Sequence, residues 1–325
     1  MRRFRVGYRM SMPSPTVVIV AFRSRWCLPD CLRALARTEG GPPPVLVVEN
    51  GCPERSAEGA EDLCPGTEVL RLPRNLGFAE GANEGIRRAL ALGAGDVLLL
   101  NPDTLPEPGW LAALREAAAE RPDAGLLGSL LLDGEGARVE PLQARVLERS
   151  GVAGEPSGGP VEVSSLIGAA LWIRAPVLRE VGAFDPLFFM YGEETDLCVR
   201  ARARGYRLVL APRSRVRHFV GGSARGVLPR ARVRWWWVRN DGLLLLKRPH
   251  LPLGTCVLDL PFRVLRRGAE DLRGLRLLDF LYRCASLPAL LLLLPAVRRS
   301  REAEGAGPAH LGPAPGAAPP RRGIP

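Results

Sequence analysis

Four short segments of this 325-residue chain carry side chains able to do chemistry. The first is Asn101-Pro102-Asp103, directly after the apolar run DVLLL at 96–100. A carboxylate beside an amide at a strand end offers hard oxygen ligands for Mg²⁺ or Mn²⁺. The same triplet also suits an Asx-turn that closes the strand. The second, Glu193-Glu194-Thr195-Asp196, follows Phe188-Phe189-Met190-Tyr191. Crowded carboxylates raise one another's pKa, which suits a general base beside a metal-bound phosphate. Acids at a helix start equally complement its dipole, and Asp196 can pair with Arg200 one turn on. The third is His218, followed by Gly221-Gly222-Ser223. It is either a metal or diphosphate ligand or an ordinary hydrogen-bonded histidine. The fourth, residues 77–85 (GFAEGANEG), opens a helix with small residues. That composition fits backbone approach to a ligand at the helix start, or close packing of helix on sheet. It matches neither GxGxxG nor GxxxxGK[ST], so dinucleotide and P-loop sites lose support.

The elements that must hold these segments follow from hydrophobic periodicity. Residues 16–22 (TVVIVAF) form a β-branched apolar run bounded by Pro15 and by Arg23-Ser24-Arg25, the pattern of a buried strand. Further strands are predicted at 45–49, 69–72, 96–100 and 125–132. Apolar positions 28, 31, 32 and 35 predict a helix over 28–38, and others fall at 79–92 and 109–121, stopped by Gly93 and Pro122. Such alternation with short loops predicts an α/β domain with a mainly parallel, Rossmann-like sheet flanked by helices. Ligands then sit at the carboxyl ends of strands, here segments 23–25, 49–51, 74–81 and 101–104. Residues 133–162 read as a loop or hairpin, and a helix bearing the acidic cluster runs to Arg204. Strands are expected around Leu208 and Val216, then a helix over 229–247 with Trp235, Trp236 and Trp237. Helical neighbours differ by about 100°, so the three rings cannot share a face, and partial burial is expected of them rather than an acceptor platform.

Composition bounds the rest. With 46% hydrophobic and 24% charged residues the chain can bury a core of about two domains and is not intrinsically disordered. Residues 1–199 carry 20 basic and 27 acidic groups, a net of −7, while residues 200–325 carry 25 and 7, a net of +18. A basic back half predicts an anionic partner. Lys247 is the only lysine among 45 cations. The seven cysteines are expected to be buried small hydrophobes in a reducing compartment. No apolar stretch follows Met1-Arg2-Arg3, so no secretion signal is expected and the protein is placed in the cytoplasm. The organisation expected is a basic extension (1–14), an α/β domain (15–222), a basic helical region (223–300) and a disordered tail (301–325). Residues 284–297 are uncharged but shorter than the about 20 residues a spanning helix needs, and Pro288 and Pro295 interrupt them. Arginines flank this stretch, so we expect an interfacial segment in peripheral contact with the inner face of the cytoplasmic membrane.

Five runs in order, NLGFAEGANEGI (75–86), DVLLLNPDT (96–104), GAFDPLFFMYGEETDLCVR (182–200), HFVGGS (218–223) and WWWVRN (235–240), together resemble glycosyltransferase family 2, its rhamnosyltransferase-like members above all. The resemblance spans about residues 16–247. It implies a GT-A fold with a C-terminal helical extension, a nucleotide-sugar donor and a divalent cation, Mg²⁺ or Mn²⁺. The implied reaction is inverting transfer of a sugar, rhamnose among the candidates, to a hydroxyl of a glycan or lipid-linked acceptor. On this resemblance Asp103 is the metal-binding aspartate, Asn101 opens its DxD-like triplet, and His218 is a metal or diphosphate ligand. Glu194 matches the catalytic base and Glu193 its partner. Phe22, Glu49, Asn75, Gly77, Phe78, Gly81, Asn83, Asn101 and Asp103 would bind the donor, and Trp172 and Asp196 the acceptor. Arg23 stands where the family commonly has asparagine, and Glu49 and Glu194 where it has aspartate.

Three other readings share these residues. A nucleotidyltransferase also sets metal-bound carboxylates on an α/β sheet, but the Gly-rich basic loop it needs near the first strand is missing. A non-catalytic nucleotide-sugar-binding protein would explain the three departures. A nucleic-acid binder would use the basic half, yet no recognisable binding motif accompanies the arginines, so no nucleic-acid partner is expected. No pattern in the sequence speaks to oligomeric state.

Overall fold

The computed structural model describes residues 15–219 and 230–312. The expected extension over 1–14, the Gly221-Gly222-Ser223 run, the 222/223 boundary and the tail beyond 312 lie outside the described residues. In chain order, β1 (Thr16–Ala21), α1 (Leu28–Ala36), β2 (Val45–Asn50), α2 (Ala60–Leu63), β3 (Thr67–Leu72), α3 (Gly77–Ala91) and β4 (Val97–Leu100) come first. Next are β5 (Thr104–Pro106), α4 (Trp110–Glu120), β6 (Ala124–Leu132), α5 (Pro141–Arg149), β7 (Val161–Glu162), β8 (Ala170–Ile173), α6 (Ala175–Glu180), α7 (Glu193–Ala203) and β9 (Arg207–His218). Four helices follow: α8 (Arg230–Leu246), α9 (Leu253–Arg273), α10 (Leu277–Leu292) and α11 (Leu294–Ala306).

One sheet runs β3-β2-β1-β4-β8-β6-β9-β5, with β7 on β9. The β3-β2-β1-β4 half is parallel, and β8 enters antiparallel between β4 and β6. Both faces are covered, so β1, β2, β4 and β6 are apolar runs rather than alternating ones. Val18 and Val20 face α3 through Ala79, Ala82 and Ile86, whereas Val17 and Ile19 face Leu28, Leu32 and Leu35 of α1 and Trp110 of α4. The C-terminal helices hold a smaller core of Leu243, Leu246, Leu260, Val264, Leu290 and Val297, into which Phe188 from the α/β domain is inserted.

Four local readings change. Residues 133–162 include α5, started by Glu140, whose carboxylate accepts from Leu142 N (3.3 Å) and Gln143 N (3.1 Å). Glutamate is not among the favoured cap residues, so the start carries little signal. The strands expected near Leu208 and Val216 are one 12-residue strand, β9, which a register shift at Ser129/Leu130 carries past Pro212. The expected apolar segment 284–297 breaks between α10 and α11 at a 65° bend, and Pro295 in the first turn of α11 could not continue a preceding helix. The tail expected from 301 is ordered further: α11 runs to Ala306 and Ala309 bridges to Gly182. Of the seven free cysteines, Cys284 alone is exposed.

Candidate active site

The turn Asn101-Pro102-Asp103 links β4 to β5 at the carboxyl end of the parallel half. The turn is closed by Thr104 Oγ1 donating to Asn101 O (2.7 Å), a threonine bond rather than the Asx-turn expected, and it aims Asp103. Antiparallel pairing of β5 with β9 sets Thr104 opposite His218, and Phe219 N donates to Asp103 O at 2.9 Å. His218 Nε2 is thereby held 3.8 Å from Asp103 Oδ1, with the two residues only 8% and 2% exposed. This separation is too long for a hydrogen bond. Among the described residues His218 Nδ1 is buried with no hydrogen-bond partner, while it is Nε2 that faces Asp103. The Asp103 carboxylate suits Mg²⁺ or Mn²⁺, whereas the His218 imidazole suits a softer ion than Mg²⁺. Two adjacent ligand atoms at about 2.1 Å from an octahedral ion lie roughly 3.0 Å apart, so these side chains would have to close by under an ångström to share a cation.

Gly192 at φ 90° turns the chain into α7, placing Glu193 and Glu194 at its first positions. Glu193 is buried and Glu194 half-buried. Burial and then the Glu194 charge push the Glu193 carboxyl well above the usual carboxylate range, and burial also raises Glu194. The Glu194 charge raises Glu193, whereas the Glu193 carboxyl lowers Glu194 by hydrogen bonding, so Glu193 is the more readily protonated of the two. Glu194 packs on Gly168, and the next residue, Ala169, accepts at its carbonyl from Asn101 N (2.9 Å). The β4 turn and the start of α7 therefore meet across one loop. Tyr191 joins them: burial raises its phenol, and the charges of Glu193 and Asp103 add to that.

On the donor side, Asn50 at the end of β2 organises the turn before α3. Its Nδ2 donates to Gly77 O (2.8 Å) and Asn75 Oδ1 (3.2 Å), while its Oδ1 accepts from Leu76 N (2.9 Å). Asn75 Oδ1 also accepts from Gly77 N (2.8 Å). Gly77 sits at φ +83°, and Phe78 N donates to Phe189 O at 2.7 Å, which ties this turn to the 188–191 segment. Phe78 itself is half-buried, edge-on to Phe184. Phe22 is half-buried beside Arg23, whose φ of +50° lies in the left-handed region that asparagine tolerates better than arginine. Glu49 is buried with both oxygens engaged, accepting from Ala57 N (2.9 Å) and pairing with Arg71 (3.3 Å), so it presents no free carboxylate.

Four expected contacts are closed by packing. Asn83 is fully buried, with both side-chain ends on the Phe184 backbone (2.8 and 3.1 Å), so it staples α3 and does not touch a donor. Gly81 lets α3 approach β1 and β2: a Cβ there would lie 2.9 Å from Asn50 Nδ2 and 3.1 Å from Val20. Trp172 is fully buried on β8 and donates to Asp96 (3.0 Å), which removes it from any acceptor surface. Asp196 is buried between Arg200 (2.8 Å) and Lys247 (3.3 Å), the ion pair that its helical spacing allowed, extended by one more cation.

Asn50, Phe189 and Tyr191 escaped the sequence-based site list, although the segments containing them stood out. The WWWVRN run explains why they matter. Trp236 stacks on Phe189 (4.7 Å) and Trp237 leans on Tyr191 (5.8 Å). Asn240 Nδ2 donates to Met190 O (2.8 Å) and Tyr191 O (2.6 Å). Trp236 is buried, Trp235 half-buried and Trp237 exposed, as the 100° step between neighbours requires. A second acidic group, Asp185, Glu304 and His310, lies behind α7. It encloses the Lys247 ammonium, which pairs with Asp185 and Glu304 and donates to Ser300 (3.1 Å), so this cluster already has its cation.

Comparisons with known proteins place the chain among its relatives. A family model described as "Glycosyltransferase like family 2" matches residues 13–237. N-acetylglucosaminyl-diphospho-decaprenol L-rhamnosyltransferase of Mycobacterium tuberculosis is 30% identical over 232 residues, covering 62% of this chain and 75% of that protein. The dTDP-rhamnosyl transferase RfbF of Shigella flexneri is 22% identical over 230 residues, covering 68% and 76%. Among solved structures, the mannosyltransferase PcManGT from Pyrobaculum calidifontis, in complex with GDP-Man and Mn²⁺, superposes with a TM-score of 0.54 at 16% identity, covering 90% of this chain and 79% of that one.

Proposed function

The chain belongs to glycosyltransferase family 2, and from that premise we propose that it is a cation-dependent inverting enzyme that moves rhamnose from a nucleoside-diphosphate sugar to a lipid-linked glycan. Its fold is the GT-A fold with a helical C-terminal extension. Asp103 facing His218 across the β5–β9 ladder, beside the Glu193–Glu194 pair, is the observation that carries the proposal. Support for rhamnose comes from the names of both sequence relatives, and for a lipid-diphosphate acceptor from that of the Mycobacterium tuberculosis protein alone.

Asp103 and His218 would hold the cation, Mg²⁺ or Mn²⁺, which when bound supplies positive charge against a departing diphosphate. Asn50 and Asn75 shape the turn that brings the Gly77 backbone near the donor. Glu194, the less readily protonated of the pair, removes the acceptor hydroxyl proton in its ionised form as that oxygen attacks the anomeric carbon. The bond to the diphosphate breaks as the new glycosidic bond forms, so one displacement inverts the anomeric configuration. Tyr191, which senses both Glu193 and Asp103, holds the acceptor side of the cleft with Trp237.

The test is a panel of nucleotide sugars with Mn²⁺ or Mg²⁺, with and without a lipid-diphosphate-linked N-acetylglucosamine. The expected result is nucleoside diphosphate released from the rhamnose donor, accelerated by the acceptor. Release from another sugar only would overturn the donor assignment. Pyrophosphate release from a triphosphate, or no turnover by folded protein, would overturn the reaction.

A further inference from the structure

The outer face of the α9–α10 hairpin leaves large apolar side chains in solvent. Leu258, Phe262 and Leu265 of α9 are 83%, 79% and 68% exposed, and Leu275 in the connecting turn is 92% exposed. Leu272, Leu278 and Leu281 continue the same surface. Positions 258, 262, 265 and 272 recur at helical spacing, so they form one stripe along α9. The inward stripe is separate: Cys256, Leu260, Val264 and Gly268 are buried on the opposite side, where the helical core is complete. An amphipathic surface helix needs one apolar stripe, and α9 has two. The second has no partner among the described residues.

We propose that this face docks on an anionic lipid bilayer, with the α9–α10 turn lowest in the interface. Charge complementarity selects the occupant. Arg266, Arg273 and Arg276 are exposed among the apolar positions, within a back half that carries a net of +18. Anionic headgroups complement such a rim while the leucines and Phe262 enter the acyl boundary. A second copy of the chain would set these arginines against their own kind across a two-fold axis. Among the described residues no single helix is long and apolar enough to cross a membrane, which suits lying in the interface over spanning it. A groove of about 820 Å³, lined by Leu253, Val257, Leu258 and Leu294 with Arg298 at its edge, extends the apolar face toward α11. The interfacial segment expected at 284–297 buries Ser286, Leu290 and Val297 and exposes Leu291 and Leu292, and the α9–α10 face extends that expectation to α9.

Docking here would also orient the cleft. α10 touches α8 through Tyr282 and Trp235, and α8 holds the Phe189–Tyr191 segment. The orientation rests on the reading above, in which the acceptor is lipid-linked; the docking itself does not.

The test is co-sedimentation of the full chain with vesicles of phosphatidylcholine alone or with phosphatidylglycerol, comparing the natural protein with Phe262→Asp/Leu265→Asp. Both positions are exposed and outside the cleft, so thermal stability and donor turnover should be unchanged, which separates this test from that of the reaction. The natural protein should bind the anionic vesicles, and the variant about tenfold or more weakly. Binding that the double substitution leaves intact would overturn the proposal. So would an absence of binding to anionic vesicles, a dimer whose dissociation follows the double substitution, or retention in the membrane after alkaline carbonate extraction, which marks insertion.

Discussion

His218 Nε2 stands 3.8 Å from Asp103 Oδ1 because β9 runs antiparallel to β5 in a register that faces His218 with Thr104. The ladder bonds on either side hold both backbones, so the pair is set before any ligand arrives. Preorganisation of this kind is what a cation site needs, since ligands that must be gathered lower affinity.

Substituting either member should therefore weaken cation use before it weakens the fold. Asp103→Asn should lower donor turnover by about 100-fold or more, the scale on which several kcal/mol of charge stabilisation acts. His218→Ala should raise the Mn²⁺ concentration needed for half-maximal turnover. Chelation by EDTA should abolish turnover, and restored Mn²⁺ should return it. Nucleoside diphosphate release against cation concentration measures all three.

Glu194→Gln should lower transfer by about 10²–10⁴-fold while donor affinity stays the same. The pH dependence has a definite sign. Glu194 must be ionised to act and burial raises its pKa, so transfer falls as pH drops through that raised value. Glu193→Gln keeps an uncharged hydrogen-bond donor beside Glu194 and should leave this acidic limb in place, whereas Glu193→Ala removes a hydrogen bond that lowers Glu194 and should move the limb to higher pH. For stability the sign is opposite. Glu193 is raised in the folded state, so its contribution is full below the ordinary glutamate pKa and is lost as pH rises through the raised value. Thermal unfolding of Glu193→Gln against the natural protein should show a stability gain that appears only on the alkaline side.

Lys247→Met should destabilise the protein by about 3–5 kcal/mol, because it strands buried carboxylates that now share one ammonium. Those carboxylates come from Asp185, from Asp196 on the helix of Glu194, and from Glu304 on α11. Burial pushes Asp185 and Glu304 up, but Lys247 and the other neighbours override it and hold both below the usual range. Stability from this cluster is therefore present above the ordinary carboxylate pKa and lost as pH falls through the lowered folded values. Urea unfolding of the variant should lose much of that acid dependence.

Gly77→Ala should cost about 1–3 kcal/mol from its left-handed backbone alone. Its Cβ would also lie 2.7 Å from Phe189 Cδ2, displacing the segment that ends in Tyr191. Turnover should fall with KM for the donor rising, whereas Gly93→Ala, also at positive φ but with nothing within 4 Å, should affect stability alone.

The legible part of this protein was the part written locally. Apolar runs such as TVVIVA and VLLL, helix stops at Gly93 and Pro122, and polar residues directly after strands specify the α/β layers and the end of the sheet that binds. Ordered motifs then named Asp103, Glu194 and His218 as candidates. What no local pattern carries is which side of a motif faces inward. Asn83 and Gly81 sit in the same run as Gly77, yet a helical step turns them into the packing of α3 while Gly77 meets Phe189. Trp172 and Asp196 look like contact residues in sequence, and only the insertion of β8 and the arrival of Lys247 from α8 bury them. Sequence determined the elements and the chemistry they could hold, because propensity and periodicity act over a few residues. Tertiary structure decided which polar groups meet, because strand register and helix packing join positions from distant parts of the chain, as β5 and β9 join Asp103 to His218.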